Sequence, residues 1–291
     1  MNNSITQCTE LTSQINIISN PGQNCEYLGE IDSQGFKDGF GIQKYKNKNI
    51  FKGYFSKNML NGWGIYNYSQ GDIYKGQFHN DKATGYGEYF HQNGGFYTGY
   101  WYMDTQGGIG IEIWSDKSKY IGEFNNGKKE GIGTFIWANG SIYRGEWSQN
   151  MINGIGICNY LDGRVYIGQW KNNKMDGFGD FIWNKNKKYC GFYKNDKKEG
   201  FGIYHSGKNK FFVGFWKDGK QEGIGKYINC DNNDNIIIKY GIWKNGKKEH
   251  DIFTEEEFIN LFNSEEAQFI YICQWDKEKL KNFMEMQIIT D

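Results

Sequence analysis

Side chains able to do acid–base, metal or nucleophilic chemistry are few and scattered in this 291-residue chain. Histidine occurs four times, at His79, His91, His205 and His250. The six cysteines (Cys8, Cys25, Cys158, Cys190, Cys230, Cys273) include no pair at the short spacing of a zinc or redox site. A Gly-x-Gly pair recurs, yet it nowhere opens a helix or runs on as G-x-x-x-x-G-K-[ST], so a phosphate-cradling loop is not supported. His91 stands where most other repeats carry Trp or Tyr, which makes it a packing residue. No catalytic residue, metal ligand or cofactor is expected, and the chain reads as a non-enzyme. Recognition is the chemistry that remains, because 10 Trp, 21 Tyr and 21 Phe make 18% of the residues aromatic.

Composition narrows the partner. The 34 Lys+Arg and 34 Asp+Glu cancel, so the chain lacks the positive surplus that displaces counterions from nucleic acid. High glycine (40 residues) would fit disorder, but disordered chains are poor in aromatics. Mean hydropathy is −0.77, and no apolar run approaches the roughly 20 residues of a membrane-spanning helix. The first residues lack the basic and apolar regions of a signal peptide, so a cytoplasmic protein with reduced thiols is expected.

Stepping along the chain from residues 120–142 reveals a 23-residue period. A first glycine recurs at Gly53, Gly76, Gly99, Gly122, Gly145, Gly168, Gly191 and Gly214, with Gly29 and Gly241 flanking the series. Gly-x-Gly recurs in register from Gly39/Gly41 to Gly223/Gly225, and the lattice holds 28 of the 40 glycines. Rings stand two residues before the first glycine (Tyr27, Phe51, Tyr74 and onward to Phe212) and two after it (Phe55, Phe78, Trp101 and onward to Trp243). Period-2 spacing puts ring, glycine and ring on one face of a strand. The Gly-x-Gly segment reads as the returning strand, and NNGKKE, KNDKKE or KDGKQE as tight reversals requiring positive φ. Glycine normally weakens a strand, but a ring on the neighbouring strand can lie over the missing side chain. The expected fold class is all-β: an elongated, twisted antiparallel β-meander of stacked hairpins. Nine and a half hairpins give about 19 strands, a rod on the order of 90 Å at about 4.8 Å per strand.

Y-x-G-x-[WF] followed by G-x-G at this spacing resembles the MORN (membrane occupation and recognition nexus) repeat over residues 27–249. That resemblance implies an extended meander with a shallow aromatic-lined groove. It also implies a scaffolding role, since family members are mostly scaffolds, either components of ciliary, cytoskeletal or membrane-junction assemblies or modules attached to lipid kinases and methyltransferases. Long stand-alone MORN chains resemble radial-spoke-head components, which implies the cilium axoneme as location.

Outside the repeats, residues 1–26 read as a flexible arm. The tail, 250–291, reads as a cap on the last hairpin or a partner-binding element, helical from an N-cap at Thr254 with acidic Glu255–Glu257; QFIYIC within it also fits a strand. Protein contact is expected along the ring-bearing face, at Trp101, Phe124, Trp147, Trp170, Tyr193 and Trp216, although the same rings could serve only to hold the sheet together. The partners would be other subunits of a complex, or a second copy in a homodimer. The alternative is a peripheral membrane adaptor, binding anionic lipid through turns bearing Lys128, Lys129, Lys197, Lys198, Lys247 and Lys248, whose neighbouring glutamates largely neutralise the row.

Overall fold

The computed structural model describes residues 16–19, 25–230, 236–252 and 254–257. The chain divides into two compact units, Met1–Ala138 and Asn139–Asp291. In the first, the described strands run from β1 (Asn16–Ser19) to β11 (Lys128–Ile136), and each pairs antiparallel with the next. In the second, β12 (Ile142–Ser148) to β21 (Lys247–Ile252) follow the same rule. Each unit is a meander of hairpins, as the periodicity requires.

One hairpin explains the rest. In β6 (Ile73–His79), Tyr74, Gly76 and Phe78 face inward while Lys75 and His79 are exposed. The chain reverses at Asn80 and Asp81, whose φ of 49° and 65° suit a two-residue turn with both central residues left-handed. β7 (Lys82–Phe90) returns with Tyr74 opposite Tyr89 and Gly76 opposite Gly87. The register then slips, so that Phe78 faces Ala83 across a bulge in β7, where residues 84–86 stand opposite Gln77 alone. Gly85, the first glycine of Gly-x-Gly, sits there at φ 88°, where a side chain would be strained.

The second glycine of Gly-x-Gly is needed for a different reason. The Tyr74 ring lies over Gly76 and Gly87, and a Cβ on Gly87 would come 2.4 Å from the Tyr74 hydroxyl oxygen. That hydroxyl donates to the carbonyl of Gln77, opposite the bulge, at 3.1 Å. Tyr27, Tyr97, Tyr120, Tyr143, Tyr166 and Tyr189 donate likewise to the carbonyl three residues on. Phe51 and Phe212 keep the ring and forgo the bond.

Turns tie hairpin to hairpin. Asp81 donates its N–H to the Leu60 carbonyl at 3.1 Å and accepts the Leu60 N–H on Oδ1 at 2.7 Å. Asp104 with Ala83, Asn173 with Ile152 and Asp196 with Met175 repeat this reciprocal pair. Asn and Asp therefore meet two demands at one position, tolerance of positive φ and a short acceptor.

Two boundaries move. Asn16–Ser19, inside the stretch read as an arm, forms β1 against β2 (Cys25–Ile31), where Ile17 and Ile18 suit a strand. β21 runs to Ile252, completing the last hairpin slightly beyond residue 249. Thr254 and Glu257 exchange side-chain-to-backbone bonds of 3.1 Å, the capping box of a helix start, and 255–257 are helical. The remaining helix and strand expectations of the tail, from 258 on, lie outside the described residues, as do residues 1–15 of the arm.

Candidate functional site

The inner face of each unit carries two rows of rings. The first is a spine in which the tyrosines over glycine alternate with the rings four residues later. In the first unit Phe55, Phe51, Phe78, Tyr74, Trp101, Tyr97, Phe124 and Tyr120 meet in sequence edge-to-face, at centroid distances of 5.1–5.2 Å. In the second, Trp147, Tyr143, Trp170, Tyr166, Tyr193, Tyr189, Trp216, Phe212 and Trp243 do so at 5.0–5.6 Å. Edge-to-face pairs contribute about 0.5–1.5 kcal/mol each beyond their burial.

This arrangement corrects the expectation for the face. Phe124, Trp147, Trp170, Tyr193 and Trp216 are buried within the spine, at 4–8% exposure, packed edge-to-face against the rings that lie over the glycines. They hold the sheet together. Trp101 alone of the six is half-buried. Burial pushes the Tyr27 hydroxyl up to about 12 and raises those of Tyr74, Tyr97, Tyr120, Tyr166 and Tyr189 further.

The second row is a rim at the far ends of the returning strands. Tyr66, Tyr68 and Tyr89 in the first unit are half-buried, with Tyr66–Tyr68 at 4.7 Å and Tyr68–Tyr89 at 5.9 Å. In the second, Tyr160 stacks on Phe181, Phe181 meets Trp183 at 4.5 Å, and Trp183 meets Tyr204 at 6.1 Å. His91 packs on Tyr89 at 4.7 Å, as its lattice position implies, and lies 3.8 Å from Asp72. The other histidines are dispersed: His79 beside Asn80, His205 against Phe211, His250 on β21.

The lysines divide by their surroundings. Lys197 pairs with Asp218 at 2.9 Å and Lys248 with Asp251. Lys129 turns inward over Trp114, 4.5 Å from the ring centre, and 3.3 Å from Glu112. Lys198 also turns inward, among four rings. Lys128 and Lys247 are exposed. No uninterrupted basic row results.

The sequence reading missed an outer stripe in the first unit. Phe40, Tyr54, Trp63, Tyr86 and Tyr100 are 39–56% exposed, and Phe40–Tyr54 and Tyr86–Tyr100 touch across strands. Their signal was the middle residue of Gly-x-Gly and the residue after the first glycine, which face away from the spine.

A family model for the MORN repeat matches nine segments, residues 33–50, 51–73, 74–96, 97–119, 120–142, 143–163, 166–188, 189–209 and 212–233. No curated protein is similar enough to match. Among solved structures, the SAS-4 (dCPAP) TCP domain of Drosophila melanogaster, in complex with a proline-rich motif of Ana2 (dSTIL), is 15% identical at a TM-score of 0.33, covering 65% of this chain and 96% of that one. A streptogramin B lyase is 12% identical at a TM-score of 0.15, covering 82% and 86%. Neither likeness is close enough to bear on function.

Proposed function

The chain belongs to the MORN-repeat family, and on that premise we propose that it is a non-catalytic scaffold that binds extended protein segments along its rim. The observation that carries this reading is the contrast between the two rows. Spine rings other than Trp101 are spent on packing, whereas the rim rings Tyr66, Tyr68 and Tyr89 in one unit, and Trp183 and Tyr204 in the other, are half-open, as is Trp101 beside them. Half-open aromatic surface is the residue type that dominates protein interfaces. Main-chain groups of a bound segment would find donors and acceptors in the rim hydroxyls.

The finer proposal is a cytoskeletal or ciliary assembly, radial-spoke-like, and its support is the family resemblance of long stand-alone MORN chains. Affinity purification from the source cell tests both levels. Axonemal proteins among the co-purified partners support the finer proposal; only vesicle or plasma-membrane components would defeat it. Replacing Trp183 and Tyr204 with Ala should abolish capture while leaving most of the fold intact. Unchanged capture by that variant, and by the Tyr66/Tyr68 counterpart, would defeat the rim as the contact surface.

The pairing of Lys129, Lys197 and Lys248 with carboxylates weighs against anionic lipid as the main ligand. Liposome co-sedimentation with and without phosphoinositides should accordingly show no lipid-dependent pelleting at moderate salt.

A further inference from the structure

One repeat of the second unit holds a cation in an aromatic cage, and the same cage recurs five repeats earlier without one. Lys198 Nζ lies 4.4 Å from the ring centres of Tyr204 and Trp216, 4.9 Å from Tyr189 and 5.2 Å from Trp183. The equivalent positions in the first unit are Tyr68, Tyr74, Tyr89 and Trp101, and the residue in place of Lys198 is Ala83.

The two cages match closely. Tyr74–Trp101 is 5.2 Å where Tyr189–Trp216 is 5.3 Å, and Tyr68–Tyr89 is 5.9 Å where Trp183–Tyr204 is 6.1 Å. Tyr89–Trp101 is 6.0 Å where Tyr204–Trp216 is 5.9 Å. Both indoles are anchored alike, Trp101 donating to the Gly87 carbonyl at 3.2 Å and Trp216 to that of Gly202 at 3.4 Å. The rim pairs are more nearly parallel in the open cage, at 34° and 43° against 79° and 90°.

Ala83 is buried in the core cluster against which Tyr68, Tyr89 and Trp101 pack, but it ends at Cβ and brings no charge to these rings. The equivalent strand position carries a longer side chain in other repeats, Leu60 packed with Phe51, Phe78, Tyr45 and Tyr66, and Met175 at the same lattice position of the second unit. Among the described residues, no lysine or arginine head group lies over Tyr68, Tyr74, Tyr89 or Trp101, whereas the equivalent lysines of the same unit do lie over rings, Lys37 over Tyr27 and Phe55 and Lys129 over Trp114 and Tyr120. Trp101 is correspondingly the one ring of its row left half-exposed, whereas Trp216 beside Lys198 is 6% exposed.

Charge completes the comparison. Where the filled cage has Lys187, the open one has Asp72. Lys187 Nζ sits 5.5 Å over Trp183 and repels Lys198. Asp72 instead accepts the Tyr89 hydroxyl at 2.7 Å and the Gln92 N–H at 2.9 Å, and these bonds hold its carboxyl below the usual range and ionised. His91 is the other titratable group against Asp72, and Lys82 with Asp104 forms an exposed ion pair nearby. A carboxylate bonded to one of the four rings favours a cation beside them, where the lysine of the filled cage disfavours one.

We infer that Tyr68, Tyr74, Tyr89 and Trp101 form a binding site for the unmodified lysine side chain of a partner, whose ammonium takes the place that Lys198 takes in the second unit. This rests on the reading of the chain as a binding scaffold and names the group it recognises. The ligand is a primary ammonium on an aliphatic stem, because that is what the filled cage contains.

The test is NMR of the Trp101 indole N–H in the full chain, assigned with Trp101→Phe, during titration with Nα-acetyl-lysine methylamide. The neutral norleucine analogue and tetramethylammonium chloride serve as competitors. The lysine analogue should shift the resonance saturably and bind about 10-fold more tightly than norleucine, a ratio of about 1.4 kcal/mol. Ala83→Lys should abolish the shift by filling the cage from within. Asp72→Asn, which retains an acceptor for Tyr89, should weaken the lysine analogue several-fold and leave norleucine unchanged. Equal response to norleucine, preference for tetramethylammonium, or an undiminished shift in folded Ala83→Lys would each overturn the inference. If the cage responds while rim alanines leave partner capture intact, the scaffold reading fails and the cage stands; a captured partner with an unresponsive Trp101 reverses that outcome.

Discussion

Gly156→Ala isolates the reason for glycine inside these strands. Gly156 has no positive φ, so its backbone would accept alanine, and only the Tyr143 ring excludes a side chain. An added Cβ would lie 2.3 Å from the Tyr143 hydroxyl oxygen and 2.4–2.5 Å from two ring carbons, about 1 Å inside ordinary contact. The ring must then lift, losing its bond to the Glu146 carbonyl (3.0 Å) and its edge contacts with Trp147 (5.6 Å) and Trp170 (5.5 Å). Overpacking costs about 1–3 kcal/mol and the lost hydrogen bond about 1, while alanine returns about 0.5–1 by restricting the unfolded chain. The net loss should be about 2–3 kcal/mol. The assay is a double-mutant cycle with Tyr143→Ala, read by urea unfolding and by hydrogen exchange of residues 142–159. Tyr143→Ala will itself destabilise strongly, but on that background Gly156→Ala should be neutral or stabilising, giving a coupling of about 2–3 kcal/mol. Equal cost of Gly156→Ala with and without the ring would refute the reasoning.

Other substitutions probe the remaining contacts. Tyr166→Phe removes the 2.9 Å bond to the Gln169 carbonyl and should cost about 1 kcal/mol by urea unfolding, no more, since Phe51 and Phe212 already serve without it. Asp196→Ala loses the 2.8 Å bond to the Met175 N–H and places alanine at φ 68°, so the urea midpoint should fall by the equivalent of about 2 kcal/mol, whereas Asp196→Asn should be nearly neutral. Burial, then Lys187, pushes the Lys198 ammonium down to about 8 from 10.5, with the ring faces acting in the opposite sense. The unfolded lysine keeps its proton until about 10.5, so the penalty on folding is full below pH 8 and fades as pH rises to 10.5. Lys198→Met should therefore gain stability over the parent at about pH 7, by a margin that shrinks toward pH 10; tyrosine titration cancels between the two chains, and a constant margin would contradict the assignment.

Much of the fold was legible because the period is covalent. Glycines 23 residues apart, flanked by rings of one parity, admit hairpins in register and little else. The turns were legible where Asn126–Gly127 and Asp218–Gly219 stand, but Met103 and Gln149 also take positive φ, because strand pairing on both sides leaves no alternative. The site was harder to read. Ring, glycine and ring on one parity implied a shared face, but whether a partner or the sheet itself covers that face depends on the Tyr143 ring reaching across to Gly156, which spacing does not show. The lysine turns carried an unread signal: Lys197 and Lys198 have opposite parity, so one meets Asp218 and the other meets rings. Ala83 was visible too, as a small residue two places before Gly85, where the equivalent position elsewhere is Lys, Leu, Gln, Ile or Met. β1 left no trace in the pattern because it lies outside the period.

The account depends on tyrosine rings lying flat over paired glycines, and glycine Hα chemical shifts in the full chain, labelled with 13Cα-glycine, report that geometry directly. Gly145, Gly156, Gly168 and Gly179 should be displaced upfield by ring currents, apart from the turn glycines Gly35, Gly94, Gly127 and Gly163, which have nothing within 4 Å of a Cβ position. Tyr166→Leu should return Gly168 and Gly179 to the turn range while Gly145 and Gly156 stay upfield. A single undivided glycine envelope, unmoved by that substitution, would contradict it.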